Sequence, residues 1–351
     1  MKPNPRLVPL LLLACASALA PTLGCKKDEA PQPAYPYYPY YPQGYAGQPG
    51  APAPGAPAPV PGAPAPAPGP VPGPVVPGPP AAPSADPINN VDVAFLRAVA
   101  TGILAELVAA LPPLQHSRVA SIPIVVDATP GEVNAFATCS KSGRAAMAIT
   151  DGLLEIQAFL ARARAHDELS GTRKVDEYIA LIARNQRPKQ PVVRPAPGFF
   201  DPALDVNPQK LARQRQLLDE ELAFVLGHEL AHHYLGHLPC TASGALPIAE
   251  IGRVLADAVP GFNQPNEIAA DMAGLNDALT AGARRNGYHF TEGGALLTMQ
   301  FFSGIDQLTP VDILFSFERS HPPPALRVPI IQQTANAWRT TGGRGLPYPL
   351  F

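Results

Sequence analysis

The pattern of apolar and polar positions along this chain predicts a mostly helical α+β fold. Apolar residues recur at helical spacing over residues 91–111, and two prolines end that helix. A β-branched run at residues 122–126 predicts a strand, and residues 134–139 and 145–150, on either side of a turn, predict a hairpin. We therefore expect a small sheet that packs against several helices.

After the hairpin, the apolar positions return to helical spacing. Residues 151–166 and 175–183 predict two amphipathic helices, and a basic, proline-rich loop follows at residues 184–197. Residues 211–238 predict a long apolar helix that Pro239 ends. A shorter apolar segment follows at residues 248–258, and a further helix begins near Pro265.

The first 85 residues predict export and a flexible tether. Residues 1–24 have a basic start and an apolar run that is too short to span a membrane but suits a secretory signal. The run ends at Cys25, in a context similar to the site where bacterial lipoproteins are cleaved and acylated. The alternative is a plain signal peptide that is cut nearby. Residues 25–85 are mainly Pro, Ala and Gly, which cannot bury a core, so we expect an extended tether.

Charge and cysteine content restrict the partners of the remaining domain, residues 86–351. The net charge of -2, with no long basic helix, argues against a nucleic-acid partner. Cys139 and Cys240 are the cysteines left in this domain, and in an oxidising compartment they can pair as a disulfide. Two buried free thiols are the alternative.

The stretch HELAHHYLGH contains the HExxH zinc pattern. Residues four apart lie on one face of a helix, so His228 and His232 can direct two imidazoles at one zinc ion. Glu229 is rotated by roughly 100° about the axis, beside the metal, where a general base belongs. The longer HExxHxxGxxH pattern is not met, because Gly236 and His237 are each out of register by one position. We therefore expect His237 to point elsewhere.

A catalytic zinc needs a third protein ligand and an open fourth position. Glu250, Glu267 and Glu292 lie within reach in the sequence, and Glu267 is preferred. It lies one turn before Asp271 in a run of small and apolar residues, so that both carboxylates face the same way. Two acids on a packed face are costly unless a cation or donors meet them. Zinc and the outer N–H of a ligand histidine would satisfy Glu267 and Asp271 respectively.

Prolines hold His321 and Arg327 in a stiff segment near the C-terminus. Either residue could donate to the oxyanion that develops on a substrate, and either could instead pair with Asp271 or another acid. His321 could also occupy the fourth zinc position and keep the free enzyme inactive. These alternatives remain open from the sequence.

The order of the short segments NAFA, TDGLL, HELAH, EIAAD, GY and SHP resembles that of a known family. It is similar to the CAAX prenyl protease, HtpX and BepA family of zinc metallopeptidases, peptidase family M48, over residues 122–327. The resemblance implies a gluzincin core with one zinc ion per chain, held by His228, His232 and Glu267. It implies Glu229 as the base and a peptide-bond substrate.

The resemblance further implies that Asp271 supports the ligands and that Ala145–Thr150 is an edge strand beside the cleft, where substrate adds as an extended strand. His321 and Arg327 match late family positions. Two features depart from the family: residues 155–219 form an enlarged segment, which is either a surface excursion or a lid, and the membrane helices of its integral members are absent.

We therefore expect an exported zinc endopeptidase that is tethered to a membrane through a lipid on Cys25. It would face the periplasm or the cell surface and cleave envelope polypeptides, including misfolded ones. The rival hypothesis is a chaperone-like or assembly-factor module that binds envelope proteins and has a self-blocked zinc site.

Overall fold

The computed structural model describes residues 86–241, 264–308 and 321–343, all within one compact unit, Pro77–Phe351. The expected signal peptide, tether and Cys25 lie outside the described residues, as do Glu250 and the segment 248–258.

Helices make up most of the described chain, and the expected mostly helical α+β fold is confirmed. The helices are α1 (Val93–Ala110), α2 (Pro113–Val119), α3 (Asp151–Ser170), α4 (Lys174–Asn185), α5 (Pro202–Asp205), α6 (Pro208–Tyr234), α7 (Gln264–Ala283), α8 (Gly293–Leu308) and α9 (Pro324–Thr340). The strands are β1 (Ile124–Asp127), β2 (Ala135–Cys139) and β3 (Ala145–Thr150).

The three strands form a mixed sheet in the order β1-β3-β2, with β1 parallel and β2 antiparallel to β3. The hairpin is as predicted, but the expectation that Ala145–Thr150 is an edge strand is wrong. This strand is central because β1 pairs with its other side. All six of its residues are buried, as is typical of a strand covered on both faces. The edge beside α6 is therefore β2.

The hydrogen bonds at the ends of the hairpin show which backbone groups of β2 face away from β3. Thr150 N–H donates to the Asn134 carbonyl, and Ser140 N–H donates to the Arg144 carbonyl. Antiparallel pairs alternate between bonded and non-bonded residues, so Ala137 directs its N–H away from β3. That N–H faces α6.

Helix α6 is the centre of the fold and packs against α1, α3, α7 and α8. Asn207 caps its N-terminus, because the side chain accepts hydrogen bonds from the next backbone N–H groups. The helix ends at Tyr234, before the predicted end at residue 238. Gly236 has a φ of +78°, a left-handed conformation that glycine adopts without strain and that stops the helix.

Helices α6 and α7 approach each other closely through two glycines. A Cβ on Gly274 would clash with the backbone of Gly227 and His228, and a Cβ on Gly227 would lie 2.8 Å from the Gly274 carbonyl oxygen. The crossing therefore brings α7 within contact of the HExxH segment. This close approach places Glu267 and Asp271 beside the histidines of α6.

Within the described part of the chain, α1 is the one helix long and apolar enough to cross a membrane by length and composition. Its buried residues include Leu96, Ile103 and Leu107, and the helix packs against α3, α6 and α7. This packing is that of a core helix.

The loop from residue 186 to residue 201 is fastened to the rest of the domain. The buried Gln186 side chain donates to the Gln190 carbonyl, and Arg194 forms an ion pair with Glu155 on α3. Gly131, in the connection between β1 and β2, lies so close to Gln190 that a Cβ there would clash. A lid role for the enlarged segment stays a prediction, and the observed contacts are those of a packed loop.

Cys139 and Cys240 form a disulfide, which is the first of the two alternatives left by the sequence. The bridge joins the end of the edge strand β2 to the segment that follows α6.

Candidate metal centre

Three side chains from α6 and α7 converge at one point. The Nε2 atoms of His228 and His232 are 3.1 Å apart. Glu267 places its carboxylate oxygens 3.3 Å from His228 Nε2 and 3.4 Å from His232 Nε2. Ligands bound at about 2.0–2.1 Å in a tetrahedron lie roughly 3.3 Å from one another. The three side chains thus have the spacing of ligands around one zinc ion.

The chemistry of these side chains also fits a cation. Glu267 is 1% exposed, and neither of its carboxylate oxygens accepts a hydrogen bond from the residues that the structure describes. A buried carboxylate without donors is costly unless a cation meets it. Two imidazoles and one carboxylate form a donor set that is typical of catalytic zinc. Glu292, the other described candidate, pairs with Arg339 instead.

A buried ion pair supports His228 from behind. Asp271 Oδ1 lies 2.9 Å from His228 Nδ1, so it accepts the outer N–H and leaves Nε2 for the metal. Arg327 donates two hydrogen bonds to Asp271, at 2.9 and 2.6 Å. Burial by itself would raise the pKa of Asp271, but the charge and hydrogen bonds of Arg327 hold this pKa well below its usual range. The sequence left two roles open for Arg327, oxyanion donor or partner of an acid, and the observed contact is the ion pair with Asp271.

Glu229 lies beside the ligand atoms, as its rotation on the helix requires. It is fully buried, and its Oε2 accepts a hydrogen bond of 2.7 Å from Ala137 N–H on the edge strand. Its other oxygen, Oε1, is 4.0 Å from His228 Nε2. One carboxylate oxygen is thus held by the sheet while the other faces the ligands.

His321 faces the same space from the segment before α9. Its Nε2 lies 3.4 Å from Glu229 Oε1 and 3.9 Å from Glu267 Oε2. With His228 and Glu267, it forms a group whose possible ligand atoms all lie within 4.8 Å of one another. His321 is therefore within reach of both the base and the fourth ligand position, and its role stays a prediction.

Two histidines next to the HExxH residues make contacts that the sequence analysis missed. His237 Nδ1 lies 3.0 Å from His232 Nδ1, the ring nitrogen opposite the converging Nε2, a contact that a helix continuing to residue 238 did not predict. The helix ends before His237, and Gly236 turns the chain back toward the ligand. His233 Nε2 donates to the Ala146 carbonyl oxygen at 3.0 Å and joins α6 to β3. A glycine soon after the HExxH segment indicates a helix end, and this signal could have predicted the contact between His237 and His232.

Comparison with known proteins agrees with this geometry. A sequence model of peptidase family M48 matches residues 104–335, a stretch that runs from α1 to α9 and contains all the site residues described above. No curated protein and no solved structure matches the chain.

Proposed function

The chain belongs to peptidase family M48, a family of metallopeptidases, and from this we propose that it is a zinc-dependent endopeptidase. His228, His232 and Glu267 would bind the metal. The observation that carries the proposal is the convergence of these three side chains at 3.1–3.4 Å, with Glu229 directly beside them.

The roles of the protein groups follow from where they lie. Zinc held here would supply Lewis acidity toward the scissile carbonyl and lower the pKa of a bound water. Glu229 takes the proton of the attacking water on Oε1 and passes it to the leaving amine. Ala137 N–H holds the opposite oxygen and so fixes the orientation of the base. His321 Nε2, which lies 3.4 Å from Glu229 Oε1, is placed to donate a hydrogen bond to the developing oxyanion.

We further propose that the substrate binds as an extended strand along β2. This strand is the sheet edge next to α6, and Glu229 lies against its middle residue, where Ala137 N–H donates to Oε2. Addition of a strand to a free edge supplies backbone hydrogen bonds that do not depend on the substrate sequence. Such binding suits an enzyme that cleaves unfolded or misfolded polypeptides.

The proposed location is outside the cytoplasm, on a membrane. The signal-like residues 1–24 and the lipoprotein-like context of Cys25 support export and acylation. The disulfide between Cys139 and Cys240 supports an oxidising compartment. Mass analysis of the mature N-terminus tests this placement: we expect an acylated Cys25, and an unmodified start elsewhere would remove the lipid anchor.

The catalytic proposal is tested by Glu229→Gln, with Glu220→Gln as the matched control on the same helix. Glu220 is equally buried but bonds to Thr291, away from the ligands. We expect Glu229→Gln to bind zinc and lose cleavage, while the control retains both. A terminal-peptide comparison of envelope proteins treated with wild type and Glu229→Gln identifies the substrates. Cleavage that persists in Glu229→Gln would refute the mechanism.

A second candidate function is a chaperone-like or assembly module, and the position of His321 favours it. Its distance of 3.9 Å from Glu267 Oε2 would allow four protein ligands and no open position. His321→Ala separates the alternatives. Activity that rises shows that His321 only blocked the metal, and activity that falls shows a role in the reaction. A zinc site with four protein ligands, together with no proteolysis of unfolded envelope proteins, would support the chaperone-like or assembly function.

A further inference from the structure

The two ligand histidines of α6 have different partners on their outer nitrogens. His228 Nδ1 meets the carboxylate of Asp271, whereas His232 Nδ1 meets His237 Nδ1 at 3.0 Å. The His232 and His237 ring centroids are 5.0 Å apart, with the ring planes at 67°. We propose that His237 is a positioning residue that accepts the Nδ1 proton of His232 and so fixes the tautomer that binds metal. This inference rests on the proposed zinc site.

The local sequence explains how His237 reaches a residue on the preceding helical turn. Gly236 N–H donates to the His233 carbonyl, and His237 N–H donates to the His232 carbonyl at 3.0 Å. With Gly236 at a φ of +78°, these two bonds form a Schellman motif. This motif usually brings together two apolar side chains, at the positions that His232 and His237 occupy here. Here both are histidines, so the same fold of the backbone creates a polar contact behind a metal ligand.

The segment after His237 is held on its other side by the sheet. Thr241 N–H donates to the Gly143 carbonyl at 2.9 Å, in the turn between β2 and β3. The disulfide from Cys240 to Cys139 joins the same two segments covalently. His237 therefore lies in a short stretch that is fixed to α6 at one end and to the hairpin at the other. Such a stretch can hold an imidazole at a constant distance from His232.

The proton count between the two rings makes the proposal specific. A neutral imidazole has one proton, and a His232 that binds metal through Nε2 carries it on Nδ1. The facing Nδ1 of His237 must then be the acceptor, and the proton of His237 lies on its own Nε2. An acceptor behind a ligand histidine fixes the ring and raises its basicity.

Substitutions of His237 separate hydrogen bonding from packing. His237→Leu fills similar space without an acceptor, whereas the Oδ1 of Asn in His237→Asn lies near the position of Nδ1. His289→Leu is the control, because His289 is an exposed histidine that contacts the Gly282 carbonyl, outside the metal centre. We expect His237→Leu to lower zinc affinity by about 10- to 100-fold. His237→Asn should recover most of the loss, and the control should equal wild type.

Zinc affinity is measured on the full-length protein by competition with a chromophoric chelator. The absorption spectrum of the Co2+-substituted protein reports the ligand geometry independently of activity, and we expect it to change in His237→Leu and return in His237→Asn. Circular dichroism confirms that each variant is folded. Equal zinc affinity in wild type and His237→Leu overturns the inference, as does a His237→Asn variant no better than His237→Leu.

A measurement on the wild type avoids dependence on folded variants. In the zinc-loaded protein with 15N-labelled histidine, we expect a coupling across the hydrogen bond between His232 Nδ1 and His237 Nδ1. A zinc-loaded protein in which His232 Nδ1–H shows no coupling to His237 would overturn the inference while leaving the proposed zinc site intact. A wild type that binds no zinc would instead overturn the proposed function itself, so the two failures are distinguishable.

Discussion

The disulfide between Cys139 and Cys240 gives the most direct test of how this domain is stabilised. The bridge joins residues separated by 101 positions in the sequence. In the native state the two segments are also joined by the hydrogen bond from Thr241 N–H to the Gly143 carbonyl. Replacing both cysteines by alanine therefore acts mainly on the unfolded chain, which loses a constraint. The native state keeps the hydrogen bond that joins the same two segments.

The expected magnitude follows from the length of the closed loop. A cross-link that closes a loop of about 100 residues lowers the entropy of the unfolded chain by an amount worth about 4.7 kcal/mol at room temperature. Domain stabilities are typically about 5–15 kcal/mol. The Cys139→Ala/Cys240→Ala variant should thus lose a large share of its free energy of unfolding and remain mostly folded in the absence of denaturant.

Urea unfolding followed by circular dichroism measures the effect in the wild type and the double variant. The variant should unfold at lower urea, and its m-value should rise because the uncrosslinked chain exposes more surface. A thiol reductant should reproduce the loss in the wild type and leave the variant unchanged. Peptidase activity per folded molecule should change little, because the bridge acts on the unfolded state. A loss below about 1 kcal/mol would refute the loop-entropy argument.

Four further perturbations follow from individual contacts. Burial raises the pKa of Asp277 from the usual 3.8 to about 7, so the native state binds this proton more tightly than the unfolded state and loses stability as pH rises. Between about pH 5.5 and about pH 8 the free energy of unfolding should fall by about 2 kcal/mol from this group. Asp277→Asn should lack this fall when urea unfolding is measured at both pH values. Parallel pH profiles of wild type and variant would contradict the prediction. Arg327→Met leaves Asp271 buried without its partner and should lower the free energy of unfolding by about 3–5 kcal/mol in the same assay. An unchanged free energy would show that the pair is dispensable. Gly274→Ala forces α6 and α7 apart, so we expect about 1–3 kcal/mol lower stability together with weaker zinc binding by chelator competition. Removing zinc with a chelator should lower the unfolding free energy by about 2.7 kcal/mol relative to zinc at about 100 times its dissociation constant, and Glu267→Gln should be insensitive to the chelator.

The sequence predicted the helices and strands better than it predicted which of them are neighbours in space. The helices and strands follow from local periodicity, which determines α1, the hairpin and the long helix α6. The pairing of β1 with β3 is parallel and non-local, and no local pattern specifies it. The uninterrupted apolar character of residues 145–149 is the sequence feature that indicates a central strand.

The same distinction applies to the metal centre. The placement of His228, Glu229 and His232 depends on the geometry of a single helix, which the sequence specifies. Arg327 had several acids within reach in the sequence, and only the packing of α9 against α7 shows that Asp271 is its partner. The contact of His237 with His232 was missed because the predicted helix extended past Gly236. The error therefore came from the helix end and not from the metal chemistry.

The balance of buried charge gives an argument for zinc that is independent of the ligand distances. Glu229, Glu267 and Asp271 are each at most 1% exposed, and Arg327, at 2% exposed, is a guanidinium that pairs with Asp271. With the ligand histidines neutral, three carboxylates against one guanidinium leave an excess of two negative charges, and buried charges are costly unless they are compensated. A dication compensates both charges at once, and Glu267, without donors among the described residues, lies where it is needed. The charge excess and the ligand spacing therefore indicate the same occupant.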